Sequence, residues 1–164
     1  MIEQLKELLE MQKVLDQSIF DKKGITKYPK QNMQIALFVE LGELMNELPT
    51  KFKHWKSSAV DNREKALVEY VDCLHFCLSL TNYNKEDYDR DFALSVDIYN
   101  YNSHDVTLLS QLPIHKLLLN ITQFEGNLSY LFGLGVKLGF EWEEIYKAYK
   151  DKNEINYERM RNNY

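Results

Sequence analysis

Two pairs of carboxylates stand at helical spacing inside stretches that are otherwise apolar. Glu40 and Glu43 lie in Phe38-Val-Glu-Leu-Gly-Glu-Leu-Met45, and Glu69 and Asp72 lie in Leu67-Val-Glu-Tyr-Val-Asp-Cys-Leu74. Residues three apart share a face of a helix, so each pair repels itself and carries a desolvation cost unless a cation satisfies it. Four hard oxygens favour magnesium. Spacing alone does not carry this reading, because Glu7 and Glu10 repeat it on a helix with a solvated face. The central pairs differ in being flanked by apolar residues on both sides, and two such helices packed together would turn all four acids to one point.

His75 follows Asp72 by three residues, which imitates half of a carboxylate-bridged di-iron site. His54, His104 and His115 supply no second acid-and-histidine pair, so redox iron or manganese ranks below magnesium. Cys73 and Cys77 lack a second pair of soft ligands and read as buried small hydrophobes, with no disulfide framework. Near the C-terminus Tyr149, Lys152, Asn156 and Arg159 recur at three and four and share one face. Lysine and arginine with an amide between them can hold phosphate oxygens, although a solvated helix surface has the same pattern.

The elements that must position these groups are helices. Apolar residues recur at three and four rather than two, and strand signals are nearly absent, so the fold class is all-α. A first helix carries Ile2, Leu5, Leu8, Leu9, Leu15 and Ile19 and stops at Gly24. A second runs from Lys30 to Leu48, ahead of Pro49. The basic, aromatic connector Lys51-Phe-Lys-His-Trp-Lys-Ser-Ser58 follows. The third helix is expected from Asn62 to Leu80, capped by Asp61 or Asn62. Residues 81–113, rich in Asn, Asp and Tyr, read as one or two short helices plus loop. A strong stripe from Ile114 to Phe132 predicts one continuous helix, interrupted by Gly133-Leu-Gly-Val-Lys-Leu-Gly139. The last helix is expected from Glu141 to Asn162, its acidic first turn suiting the positive end of the helix dipole.

A chain of 164 residues, 45% hydrophobic and 27% charged, fits one domain spanning residues 1–164. A formal net charge of -5 disfavours binding to DNA or RNA polymers, which needs lysine and arginine to displace condensed counterions. A small nucleotide whose charge a metal neutralises remains compatible. No apolar run reaches the ~20 residues that span a bilayer, and Met1-Ile-Glu-Gln-Leu-Lys-Glu7 has no basic region leading into an apolar stretch. The expectation is a cytoplasmic protein with no membrane partner.

In combination these segments resemble the dimeric, all-α deoxyuridine triphosphatases, a branch of the all-α nucleotide pyrophosphohydrolases that also holds MazG-like proteins. Glu40-Leu-Gly-Glu43 with Asn46-Glu47 is similar to that family's ExxE metal motif, and Glu69-Tyr-Val-Asp-Cys-Leu-His-Phe76 to its ExxD motif with trailing histidine. Phe52-Lys-His-Trp-Lys56 is similar to its aromatic-basic loop. Lys152-Asn-Glu-Ile-Asn156 with Arg159 and Tyr164 resembles its terminal phosphate-binding motif, and Met11-Gln-Lys-Val-Leu-Asp16 its N-terminal base-reading helix. Asp16 stands where other members carry asparagine, and Met160 and Asn163 replace a glutamine and a glycine.

The resemblance implies hydrolysis of dUTP to dUMP and pyrophosphate by a homodimer that uses two or more Mg2+ ions. It implies that Glu40, Glu43, Glu69 and Asp72 hold the metal, with Glu40 first and Glu43 second as the catalytic base. Lys152, Asn156, Arg159 and Tyr164, and less directly Lys53 and Lys56, would orient phosphates. Gln12, Asp16, Trp55 and His75 would form the base and sugar pocket. Residues 81–113 correspond to a variable, mobile part, and a second subunit or closure of that part would complete the site. The alternatives are a MazG-like pyrophosphohydrolase acting on another nucleotide such as dCTP, or a helical protein-binding module without catalysis.

Overall fold

Helix boundaries follow the local chemistry wherever a cap or a proline is present. The computed structural model describes residues 1–88 and 100–162, with side chains up to residue 84 in the first stretch. Helix α1, Ile2–Lys23, ends on Gly24 in the left-handed conformation (φ 67), as the sequence predicts. Helix α2, Lys30–Asn46, stops two residues short of the expected Leu48, and a 3-10 turn, Pro49–Lys51, takes over at the proline. Helix α3, Arg63–Tyr88, starts where Asn62 Oδ1 accepts from the Lys65 backbone N–H at 3.1 Å. Asp61 is occupied instead by Thr50, whose backbone N–H it accepts at 2.9 Å.

Two expectations are corrected. Helix α3 does not end at Leu80, because its polar continuation finds partners far away in sequence. Thr81 Oγ1 donates to the Cys77 carbonyl, Asn82 Nδ2 donates to the Leu9 carbonyl, and Tyr83 stacks on Tyr28 with centroids 4.3 Å apart. Within 81–113 the described residues also hold α4, His104–Leu109, capped by Ser103, while 89–99 lie outside the described residues.

The second correction concerns the stripe after Ile114. It is two helices, α5 (Ile114–Gln123) and α6 (Leu128–Leu138), with an unexpected break at Phe124 to Asn127; of the glycines from 133 to 139, only Gly139 (φ 76) ends a helix. Glu125 (φ 56) and Gly126 (φ 81) reverse the chain at the break. Gly126 must be glycine, since a Cβ on it would lie 2.9 Å from Leu80 Cδ1 and 3.3 Å from Cys77 Cα. Gly135 continues the helix and is small because Tyr70 Oη would stand 2.5 Å from any Cβ. Helix α7, Trp142–Arg161, begins with a reciprocal capping box between Glu141 and Glu144.

Among the described residues there are seven α-helices and no strand. Helix α3 is central, packing against α1, α2, α6 and α7. It places Tyr70, Val71, Cys73, Leu74, Cys77 and Leu78 in a single contiguous core cluster at 0% exposure, so both cysteines are buried and free. Asn62 N–H donates to the Glu47 carbonyl at 2.8 Å, while Leu37 and Leu80 meet at Gly126. The end of α2 therefore lies by the start of α3 and its beginning lies further along, so the two run antiparallel. That arrangement turns Glu40 and Glu43 toward Glu69.

Candidate active site

The acids of α2 and α3 do converge. One carboxylate oxygen from each of Glu40, Glu43 and Glu69 lies within 4.8 Å of the others. A magnesium ion that holds its ligands at about 2.1 Å spans about 4.2 Å from oxygen to oxygen, so small side-chain rotations close the cage. An all-oxygen set with no nitrogen or sulfur donor suits that hard ion. Burial, then Asp72, Glu43 and Glu69 in turn, push the Glu40 carboxyl up to about 7, with Lys152 opposing them. Burial and then Asp72 raise Glu69 in the same direction. These are acids crowded enough to gain from a cation.

Asp72 stands beside this trio with a cation of its own. Its Oδ2 accepts from Lys152 Nζ at 2.5 Å, and both side chains are only 15% exposed. Helix α7, packed along α3, supplies that lysine.

One turn beyond Asp72, His75 opens onto a cavity of about 270 Å³ between α1, α3 and α7. Gln12, Asp16 and His75 line it with Asn156 and Arg159, over an apolar floor that includes Leu15, Met33 and Phe76. Lys22 donates to the Met160 carbonyl across its rim. Its polar wall is one network. Gln12 Nε2 donates to Asp16 Oδ1 at 2.8 Å, and Gln12 Oε1 accepts from Tyr149 Oη at 2.9 Å. The same oxygen faces His75 Nδ1 at 2.7 Å, which assigns the proton to Nδ1 and leaves Nε2 a lone pair. That Nε2 is buried without a hydrogen-bond partner, as is Asn153 Nδ2. Burial, then the charge of Lys152, hold the His75 pKa down at about 3, so the ring is neutral and stacks on Tyr149 at 4.1 Å. Burial raises Asp16 to about 6 against hydrogen bonds from Ser79 and Gln12, and Ser79 is joined in turn to Tyr28 Oη at 2.8 Å.

A crowded acid cluster thus stands beside a pocket with buried, directional polar groups. The family model described as dUTPase, in its all-α form, matches residues 4–164. The chain belongs to the all-α dUTPase family. It is a dUTP diphosphatase, an enzyme that hydrolyses dUTP. A comparison with curated proteins finds no match.

In this dUTPase the structure joins most of the expected groups and leaves others apart. Glu40, Glu43 and Glu69 meet, with Asp72 alongside and held by Lys152. Gln12, Asp16, His75, Asn156 and Arg159 share the cavity. Trp55 does not, being 68% exposed on the loop after the 3-10 turn, with Phe52 and His54 edge-on to its ring. On the same loop Lys53 lies over the Phe52 ring at 5.1 Å, and Lys56 is exposed. Tyr164 lies outside the described residues. Sequence reasoning did not single out Ser79, Tyr28 or Asn153. Of these only Asn153 left a signal, as a polar residue four after Tyr149 on the buried side of α7.

Proposed function

We propose that the enzyme converts dUTP to dUMP and pyrophosphate through in-line attack of water on the α-phosphorus, with Mg2+ at Glu40, Glu43, Glu69 and Asp72. The observation that carries this reading is the convergence of three carboxylates in which Glu40 sits near 7, beside a cavity with a neutral histidine. Bound Mg2+ would acidify the attacking water and neutralise charge on the pyrophosphate leaving group. Glu40 would accept the proton of that water from its place among the other acids, and Glu43 is the second choice. Arg159, Asn156 and Lys152 orient the phosphate chain from α7, with Lys53, Lys56 and Tyr164 as further candidates. Gln12, Asp16 and His75 read base and sugar, with Trp55 supplied by rearrangement of its loop or by a second subunit.

Asp16 supports one competing substrate. An ionised carboxylate accepts from the amino group of cytosine but donates nothing to uracil O4, so a preference for dCTP is the second reading. A panel of deoxynucleoside triphosphates with Mg2+ decides between them. The proposal expects dUTP to exceed dCTP and dTTP by at least about tenfold in kcat/KM, the range a buried hydrogen-bonding edge supplies. Hydrolysis in 18O-labelled water should place the label in dUMP; label in pyrophosphate would mean attack at the wrong phosphorus. Glu40→Gln combined with Asp72→Asn should abolish hydrolysis with the fold retained, whereas a protein-binding module would keep its function.

The proposal extends to a cytoplasmic, single-domain homodimer. One contiguous core cluster and two free, buried cysteines support the fold unit and a reducing compartment. No helix among the described residues is long and apolar enough to cross a membrane. An apolar groove of about 430 Å³ between α2 and α5, lined by Phe38, Met45, Leu118 and Leu119, supports a second copy as partner.

A further inference from the structure

Lys152 stands where a cation is useful in two places and can serve only one at a time. Its ammonium is locked on Asp72 at 2.5 Å, both groups mostly shielded from water. Asp72 is the acid that stays out of the cage formed by Glu40, Glu43 and Glu69, yet it shares their field. After burial it is the leading influence that raises both Glu40 and Glu69, and Lys152 lowers both. Along the same face of α7, Asn156 and Arg159 line the neighbouring cavity. A shielded carboxylate among three others cannot stay without a counter-charge, and the nearest one available is on a flexible four-carbon stem.

We propose that Lys152 is a tethered counter-cation that occupies Asp72 until a divalent metal replaces it, and that the replacement turns its ammonium toward substrate phosphates beside Asn156 and Arg159. The inference rests on the reading of the four acids as a metal site. It makes metal binding and triphosphate binding mutually reinforcing: metal frees the lysine that holds phosphate, and phosphate draws away the lysine that competes with metal. Lysine suits this exchange better than arginine, because a compact point charge leaves its partner without breaking a bidentate pair.

The test is Mn2+ binding to the free protein, followed by electron paramagnetic resonance without nucleotide. Lys152→Met should tighten binding by about tenfold, the change that removing one competing ion pair worth about 1.4 kcal/mol would give. In an Asp72→Asn background the same substitution should tighten binding several-fold less, leaving only the field of Lys152 on Glu40 and Glu69. Plain repulsion between Lys152 and the metal would instead tighten binding equally in both backgrounds, and that result overturns the proposal. A second readout needs no variant. Acylation of lysines in the native protein, read by peptide mass spectrometry, should be slow at Lys152 without metal and several-fold faster with saturating Mn2+, while Lys147 serves as an exposed reference. Mn2+ binding with Lys152 reactivity unchanged sinks this inference and leaves the metal site standing. Absence of Mn2+ binding sinks both.

Discussion

Two buried groups facing Gln12 from opposite sides respond to acid in opposite ways. His75 is held down from 6.5 to about 3 by burial, so the unfolded chain binds a proton that the folded one refuses. Its contribution to stability is complete above pH 6.5 and is lost as pH falls toward 3, at about 1.4 kcal/mol per pH unit. Asp16 is raised from 3.8 to about 6, so the folded state holds a proton that the unfolded chain releases. Its contribution is complete below pH 3.8 and is lost as pH rises through 6. Between pH 4 and 6 these two slopes nearly cancel, and Glu40, raised from 4.5 to about 7, adds a fall of its own. Urea unfolding of the metal-free native protein should therefore show stability falling as pH rises from about 4.5 to 6, and His75→Gln should steepen that fall. A variant with the same slope as the native protein would show that His75 titrates normally. The acid cage makes a separate prediction, because without metal its mutual repulsion is offset only in part, by Lys152. Glu43→Gln should raise the melting temperature in chelator and lower it relative to the native protein in Mg2+, read by thermal scans in both. A lower melting temperature in chelator would mean that Glu43 is held by a structural partner instead.

Whether a helix end could be read from the sequence depended on whether its determinant was local. Gly24, Pro49 and the Glu141–Glu144 capping box act within a turn, and the ends of α1, α2 and α7 fall within about two residues of expectation. The end of α3 could not be read this way, since Asn82 depends on a carbonyl of α1 and Tyr83 on the Tyr28 ring. Gly139 does close α6, but Gly133 and Gly135 misled for the same reason. Their role is contact rather than interruption: Tyr70 Oη donates to the Leu131 carbonyl at 3.0 Å, across the turn that Gly135 keeps open. Gly135→Ala should thus destabilise the fold by about 1–3 kcal/mol through overpacking, despite a gain in helix propensity. Urea unfolding with far-ultraviolet circular dichroism measures it, and a stabilised, fully helical variant would refute the packing role.

At the scale of the molecule the converging acids were legible from residue chemistry, whereas Gln12, Asp16 and His75 were brought into one pocket only by the family resemblance. Four charges inside two apolar stretches are anomalous within a few residues of sequence, whereas the Gln12 network reaches from position 12 to 75 and 149. The same limit applies to Trp55, which the family resemblance would put at the substrate but whose ring stands outside the cavity. If a second copy supplies it, the α2 and α5 groove is the surface to break. Phe38 is 62% exposed and Ile35 64%, so a charge there costs the folded subunit little while it disrupts any apolar contact between copies. Phe38→Lys should therefore shift the protein from dimer to monomer in sedimentation velocity with its melting temperature nearly unchanged. Its KM for dUTP should rise, and adding Trp55→Ala should raise it no further, because the ring is already out of reach. Additive losses from the two substitutions would place Trp55 at the cavity of its own chain through movement of the loop, and a monomeric native protein would remove the second subunit from the mechanism altogether.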